Sequence, residues 1–141
     1  MNYYNEIKKE LINNEAYKKI KNYSKNRSDL ETYYNVGKLL SAAGKNYGES
    51  IIKKYSEKLM IDLGKKYNER TLRRFRQFYN LIFNRKWSTV STKLTWSHFS
   101  EILSIKDINK GNYYIKIAEK QNLSVRELRE KIQNKEYERL P

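Results

Sequence analysis

Apolar residues recur along this chain at the spacing of an α-helix, and the one proline is its last residue. Between about Tyr3 and Tyr23, the residues Tyr3, Ile7, Leu11, Ile20 and Tyr23 fall near one stripe of a 3.6-residue period, which predicts a first helix. Asn26-Arg27-Ser28-Asp29 has the chemistry of a turn and helix start. Leu30, Tyr33, Tyr34, Gly37 and Leu40 then face inward on a second helix, which Gly44 is expected to end in a left-handed conformation. A third helix, about Glu49 to Leu63, carries Ile52, Tyr55, Leu59 and Leu63 at helical spacing. Gly64-Lys65-Lys66-Tyr67 breaks it, and Asn68, whose side chain can accept a free backbone N–H, suits the N-cap of a fourth helix reaching about Phe83. Two helices joined across a short glycine-containing turn have the sequence form of a helix-turn-helix.

The period is lost over residues 84–95, where hydroxyl residues crowd, and this stretch is expected to be the longest surface loop. Thr95 then caps a short helix containing Trp96, Phe99 and Leu103, and Asp107 opens another with Tyr114, Ile117 and Ala118 inward. Ser124-Val125-Arg126-Glu127 has the spacing of a capping box, and the helix behind it should bury Val125, Leu128 and Ile132. The expected fold is all-α, six to seven helices in one domain with a helix-turn-helix-like unit. Its parts are an N-terminal helix (1–27), a core containing the helix-turn-helix (28–83), the loop (84–95) and C-terminal helices (96–141).

A domain near this length buries roughly 68–70% of its unfolded surface, enough to fold without covalent staples. The chain has no cysteine, so disulfides, thiolate metal sites and a cysteine nucleophile are excluded, in keeping with a reducing cytoplasm. No run approaches the ~18 consecutive apolar residues of a membrane span, and no membrane association is expected. Thirty Lys and Arg against 16 Asp and Glu give a net charge of +14, which predicts attraction to polyanions. Abundant Lys, Asn, Ile and Tyr also fit A/T-rich codons, which accounts for many of the lysines. It does not account for Arg70, Arg73, Arg74 and Arg76, which lie within seven residues and offer planar, multi-donor guanidiniums.

On the fourth helix Leu72, Phe75, Tyr79 and Ile82 share one arc, while Arg70, Arg73, Arg74 and Gln77 share the opposite one. Arg76 lies beside the apolar arc, as a packing or flanking residue. A salt-bridged, solvated face normally mixes signs. Here Glu69 is the one acid between Lys65 and Arg85, and residues 31–87 hold 13 basic and five acidic side chains. Arg70, Arg73, Arg74 and Gln77, with Lys65 and Lys66 before them, are therefore the candidate nucleic-acid-binding residues. Arginine pairs with guanine edges or phosphate, and glutamine can address adenine. The last helix mixes Arg126, Arg129 and Lys131 with Glu127 and Glu130, and a structural role is expected of it. Most of the 13 tyrosines sit at core-facing positions.

The single histidine, His98, stands at a helix start without a nearby cluster of acids and is expected to be structural or capping. No converging acids of a metal-dependent nuclease, no glycine-rich phosphate loop and no nucleophile elbow are found, so no catalytic residues, cofactor or metal are assigned.

Several strings, in order, carry a family resemblance: Tyr34-Asn35-Val36-Gly37-Lys38, the segment Asn68 to Tyr79, Leu94-Thr95-Trp96-Ser97-His98-Phe99, Leu123 to Leu128, and Tyr137-Glu138-Arg139-Leu140. Over about residues 30–141 the chain resembles the N-terminal domain of the YhcG-like proteins, formerly domain of unknown function 1016. The resemblance implies a helical DNA-binding module of the kind that precedes a PD-(D/E)xK nuclease domain. The chain stops where that nuclease would begin, so the expectation is the module alone, as an excised domain or a stand-alone form from a mobile element. Duplex DNA is the partner expected first, ahead of RNA. The alternative is a protein-interaction module that inhibits a nucleic-acid enzyme, such as an anti-CRISPR-type inhibitor of a nuclease or CRISPR effector. A third reading is a catalytically dead regulator pairing with an intact homologue. A homodimer is a further candidate, since exposed tyrosines could support one and helix-turn-helix proteins often dimerise to read two half-sites.

Overall fold

The computed structural model describes residues 2–20, 25–83 and 93–141. Among these residues the protein is all-α, without strands. The helices are α1 (Tyr3–Ile20), α2 (Lys25–Tyr47), α3 (Ser50–Asp62), α4 (Glu69–Ile82), α5 (Trp96–Ile102), α6 (Ile108–Gln121) and α7 (Val125–Gln133), with 3₁₀ turns at Lys65–Tyr67 and Tyr137–Arg139. The chain divides into two compact units, residues 1–84 and 85–141. Most of the expected 84–95 loop, residues 84–92, lies outside the described residues.

The first unit is built around α2, against which α1 and α4 both pack. Its core joins Ile7 and Leu11 of α1, Leu30, Val36 and Leu40 of α2, Ile52 and Leu59 of α3, and Leu72, Phe75, Phe78 and Ile82 of α4. Gly37 sets the approach of α2 to α4. A Cβ there would lie 2.1 Å from the Phe75 carbonyl oxygen, so only hydrogen fits between the two backbones. Tyr33 stacks on Phe75 at 4.2 Å beside this crossing, and Tyr34 meets Tyr79 at 5.1 Å. Aromatic pairs of this kind contribute about 0.5–1.5 kcal/mol beyond the area they bury.

The second helix departs from expectation at both ends. It begins at Lys25 and includes the Asn26–Asp29 string expected to be a turn. Two of these turn-prone side chains, Ser28 and Asp29, are held by α1: Asn14 donates to Asp29 (2.9 Å), Ser28 donates to Asn14 (2.5 Å), and Lys18 pairs with Asp29 (3.0 Å). At the other end α2 runs through Gly44, and the left-handed glycine that follows it is Gly48, at φ +87°. A helical glycine costs about 1 kcal/mol, and buried Leu40 and Ala43 just before it offset that cost.

In the second unit α5, α6 and α7 enclose Phe99, Ile102, Tyr114, Ile115, Ala118 and Leu128. Ile117, Val125 and Ile132, expected inside, are half-buried, and Ile115 takes the inner position on α6. The expected caps are present. The Thr95 side chain accepts from His98 N–H, Asp107 accepts from Asn109 and Lys110, and Ser124 and Glu127 form a reciprocal box. Asn122 ends α6 in the left-handed conformation at φ 56°. Among the described residues no helix is long and apolar enough to cross a membrane.

Candidate nucleic-acid interface

The basic helix α4 starts at Asn68, whose side-chain oxygen accepts from the Thr71 N–H at 3.0 Å. It follows α3 across Leu63 to Asn68, a connection containing Gly64 (φ +127°) and the Lys65–Tyr67 turn. The buried Ser56 hydroxyl ties the turn to α3 by donating to the Tyr67 carbonyl at 3.3 Å. The order helix, turn, helix is thus as the sequence suggests, while the principal packing partner of α4 is α2.

The inward face of α4 is wider than the sequence arc. Leu72, Phe75 and Ile82 are buried as expected, but Phe78, which lies outside that arc, is fully buried and Tyr79 is only half-buried. The helix lies against α2, α3 and the 3₁₀ turn together, so its apolar surface spans more than one groove.

The outward face is correspondingly narrower. Arg70 and Gln77 are exposed as expected, but Arg73 and Arg74 are half-buried. Arg73 is drawn down by acids: its Nε and Nη2 each lie 2.8 Å from Glu69 Oε2, and its Nη1 is 3.7 Å from Glu49 Oε2. Arg74 sits one step round the helix towards buried Phe78. Lys65 is exposed, while Lys66 pairs with Glu15 of α1 at 2.8 Å and lies over the Tyr67 ring. The six candidate residues therefore share one stretch of chain, but Lys66 is turned towards α1 and two arginines lie partly in the surface.

Arg76, a flanking residue by its place in the sequence, takes a short ion pair to an acid outside the helix. Its Nη1 donates to Glu49 Oε2 at 2.6 Å, so one carboxylate oxygen serves Arg76 and Arg73 together. The Arg76 side chain is 21% exposed and that of Glu49 66%. The Arg76 hydrogen bond, with the charges of Arg76 and Arg73, holds the Glu49 carboxyl below its ordinary pKa. Glu49 stands 27 residues from Arg76, and no local pattern links them.

His98 is a capping residue. Thr95 N–H donates to its Nδ1 at 3.0 Å, and its Nε2 lies 2.9 Å from the Leu123 carbonyl, which places the proton of the neutral ring on Nε2. Among the described residues no group of three or more His, Asp or Glu side chains is placed to hold a metal ion.

Neither a curated protein nor a solved structure matches this chain. The DUF1016 N-terminal domain matches residues 6–139, and that family is associated with nuclease-related proteins; the match includes no nuclease domain. Spanning nearly the whole of its length, this match makes the chain a member of the DUF1016 N-terminal domain family.

Proposed function

We propose that this protein is a non-catalytic nucleic-acid-binding module that engages duplex DNA, in preference to RNA, through α4. The observation that carries the reading is a helix of 14 residues with four arginines and one glutamate, pinned to α2 by its apolar face. Arg70 and Gln77 are exposed, and the half-buried Arg73 stands between them in the helix. The major groove of B-DNA, about 12 Å wide, admits an α-helix, whereas that of A-form RNA is deep and narrow. The basic surplus supplies affinity through phosphate contacts, and Arg70 with Gln77 supplies the groups suited to base edges.

Fluorescence anisotropy with duplex DNA, single-stranded DNA and duplex RNA tests the reading. Duplex DNA should bind most tightly, with affinity falling linearly in log salt. Equal binding of all three would remove the duplex-groove assignment. Cleavage of plasmid DNA in the presence of Mg²⁺ or Mn²⁺ would overturn the non-catalytic part.

A second reading, inhibition of a nucleic-acid enzyme by protein contact, draws support from another face. Ile12 and Tyr17 are exposed on α1, and Ile12 borders a groove of about 420 Å³ lined by Leu11, Ala16, Leu63 and Tyr67 together with the charged Glu15, Lys19 and Lys66. No binding to any nucleic acid, together with inhibition of a purified nuclease, would favour it.

A further inference from the structure

We infer that Arg73 and Arg76 form a phosphate subsite which Glu49 fills in the free protein, so that nucleic acid binds by displacing this carboxylate. The inference rests on the nucleic-acid reading above. It adds Arg76 to the contact residues and names an internal competitor for them.

The geometry is that of an anion held between two guanidiniums. Glu49 Oε2 lies 2.6 Å from Arg76 Nη1 and 3.7 Å from Arg73 Nη1, on the same helix as the exposed Arg70 and Gln77. A phosphate oxygen makes the same contacts as a carboxylate oxygen, and a guanidinium fork suits both. Arg73 is oriented for this from its other side, because Glu69, one turn earlier on α4, holds its Nε and Nη2.

Glu49 is placed to leave. It precedes α3 immediately after Gly48, a residue in the left-handed region, and its side chain caps no backbone group of that helix. Its displacement therefore costs α3 no hydrogen bond. The side chain is 66% exposed, so its charge is rehydrated when it swings out. An ion pair whose carboxylate partner is this exposed is weakened by water and salt, whereas a duplex offers a row of phosphates at high local density. The exchange of one carboxylate for a phosphate thus favours DNA. It also penalises isolated anions, which must compete with a tethered carboxylate.

Anisotropy titrations on one duplex of about 20 base pairs, at fixed low salt, decide the matter. Glu49→Gln removes the competitor and should tighten binding about fivefold. Glu57→Gln makes the same change in net charge at an exposed position of α3 and should shift affinity less than about twofold. With Arg76→Ala in the background, most of the gain from Glu49→Gln should vanish. An unchanged affinity in Glu49→Gln, or an equal gain in Glu57→Gln, would overturn the inference while leaving the proposed function standing. A wild-type protein that binds no duplex would instead overturn the function itself. Thermal melts establish that each variant is folded. Should Glu49→Gln fail to fold, the carboxyl ¹³C shift of Glu49 in the wild-type protein decides instead. It should move towards that of a solvated carboxylate as duplex is added, and a shift that stays put would refute displacement.

Discussion

The helices α4 and α7 each begin at a side-chain cap and each turn apolar residues inward, yet they dispose of their charges differently. In α7 the cations find acids close by: Arg126 pairs with Glu130 at 3.4 Å, Arg129 with Glu101 at 2.7 Å and Lys131 with Glu136 at 3.5 Å. In α4, by contrast, one oxygen of Glu49 is shared by Arg73 and Arg76, and Glu69 is the one acid of a helix with four arginines, whereas each of these α7 cations has a carboxylate of its own. The two units repeat this contrast. Residues 1–84 hold eighteen basic and nine acidic side chains, and residues 85–141 hold twelve and seven. A charged face is therefore a candidate for binding when its cations outnumber the acids within reach in the folded protein, wherever in the chain those acids stand.

Charge reversal breaks the comparison most strongly. Arg70→Glu, Arg73→Glu and Arg74→Glu together should weaken duplex binding at least ~100-fold, given about 1–3 kcal/mol for each arginine contact. The fold should persist, because Leu72, Phe75, Phe78 and Ile82 hold the opposite face. A double reversal on α7, Arg126→Glu with Arg129→Glu, alters cations outside the proposed contact set and should leave affinity within about threefold. If the two variants lose affinity equally in anisotropy titrations, α4 is not the contact helix.

The next largest effect concerns the platform under α4. Gly37→Ala places a methyl group against the Phe75 backbone, which cannot yield as a flexible side chain does. A loss of about 3 kcal/mol is expected from overpacking of this kind, measured by urea denaturation. Binding should then fall only in step with the unfolded fraction, unlike in the charge-reversed protein. Unaltered stability would mean that α2 and α4 are not pressed together at Gly37.

Much of this is legible in the chain because it is local. Asn68, Thr95, Asp107 and Ser124 cap the helices that follow them, as expected, since a cap is a relation among residues two or three apart. Gly64 likewise breaks the chain where expected. What cannot be read is tertiary. Gly44 lies inside a helix because α2 has buried neighbours to keep it helical, and Phe78 is buried because α4 is packed against more than one element. Helical periodicity sets Arg73 off the apolar arc, but the side chain is half-buried, held by Glu69 one turn earlier and approached from across the fold by Glu49. The pattern of the chain thus identifies the candidate surface to the helix and misjudges single guanidiniums.

Arg73 alone gives a smaller and sharper test. Arg73→Ala should reduce the slope of log affinity against log salt by about 0.9 if the side chain meets a phosphate of duplex DNA. Arg129→Ala, which removes a cation paired with Glu101, should leave the slope unchanged. Should Arg73→Ala instead keep the slope and relax the preference among duplex sequences, the side chain meets a base edge. An Arg73→Ala protein with both slope and preference intact would exclude Arg73 from the interface.

The smallest effect belongs to the start of α7, where the comparison concerns stability alone. The Ser124 hydroxyl accepts from the Glu127 N–H at 3.1 Å, and Glu127 accepts from the Ser124 N–H at 2.9 Å. Ser124→Ala removes the first of these bonds and should cost about 1 kcal/mol, as losses of N-caps do. Glu127 adds a pH dependence of known sign. Its pKa is lowered first by the Ser124 backbone N–H and then by the Ser124 side chain, so the native state binds the proton less readily than the unfolded chain. The stabilisation is complete above the ordinary glutamate value of about 4.3 and fades as pH falls through the lowered native value. Glu127→Gln keeps an acceptor for the Ser124 N–H without a titrating charge, so this part of the acid sensitivity should disappear. At α5 the third residue of the box is His98, whose Nδ1 accepts from Thr95 N–H without a carboxylate. Melting temperatures of wild type and Glu127→Gln from pH 7 to pH 3 should therefore converge at the acid end. Parallel curves across that range would mean that the Glu127 carboxylate contributes nothing to the cap.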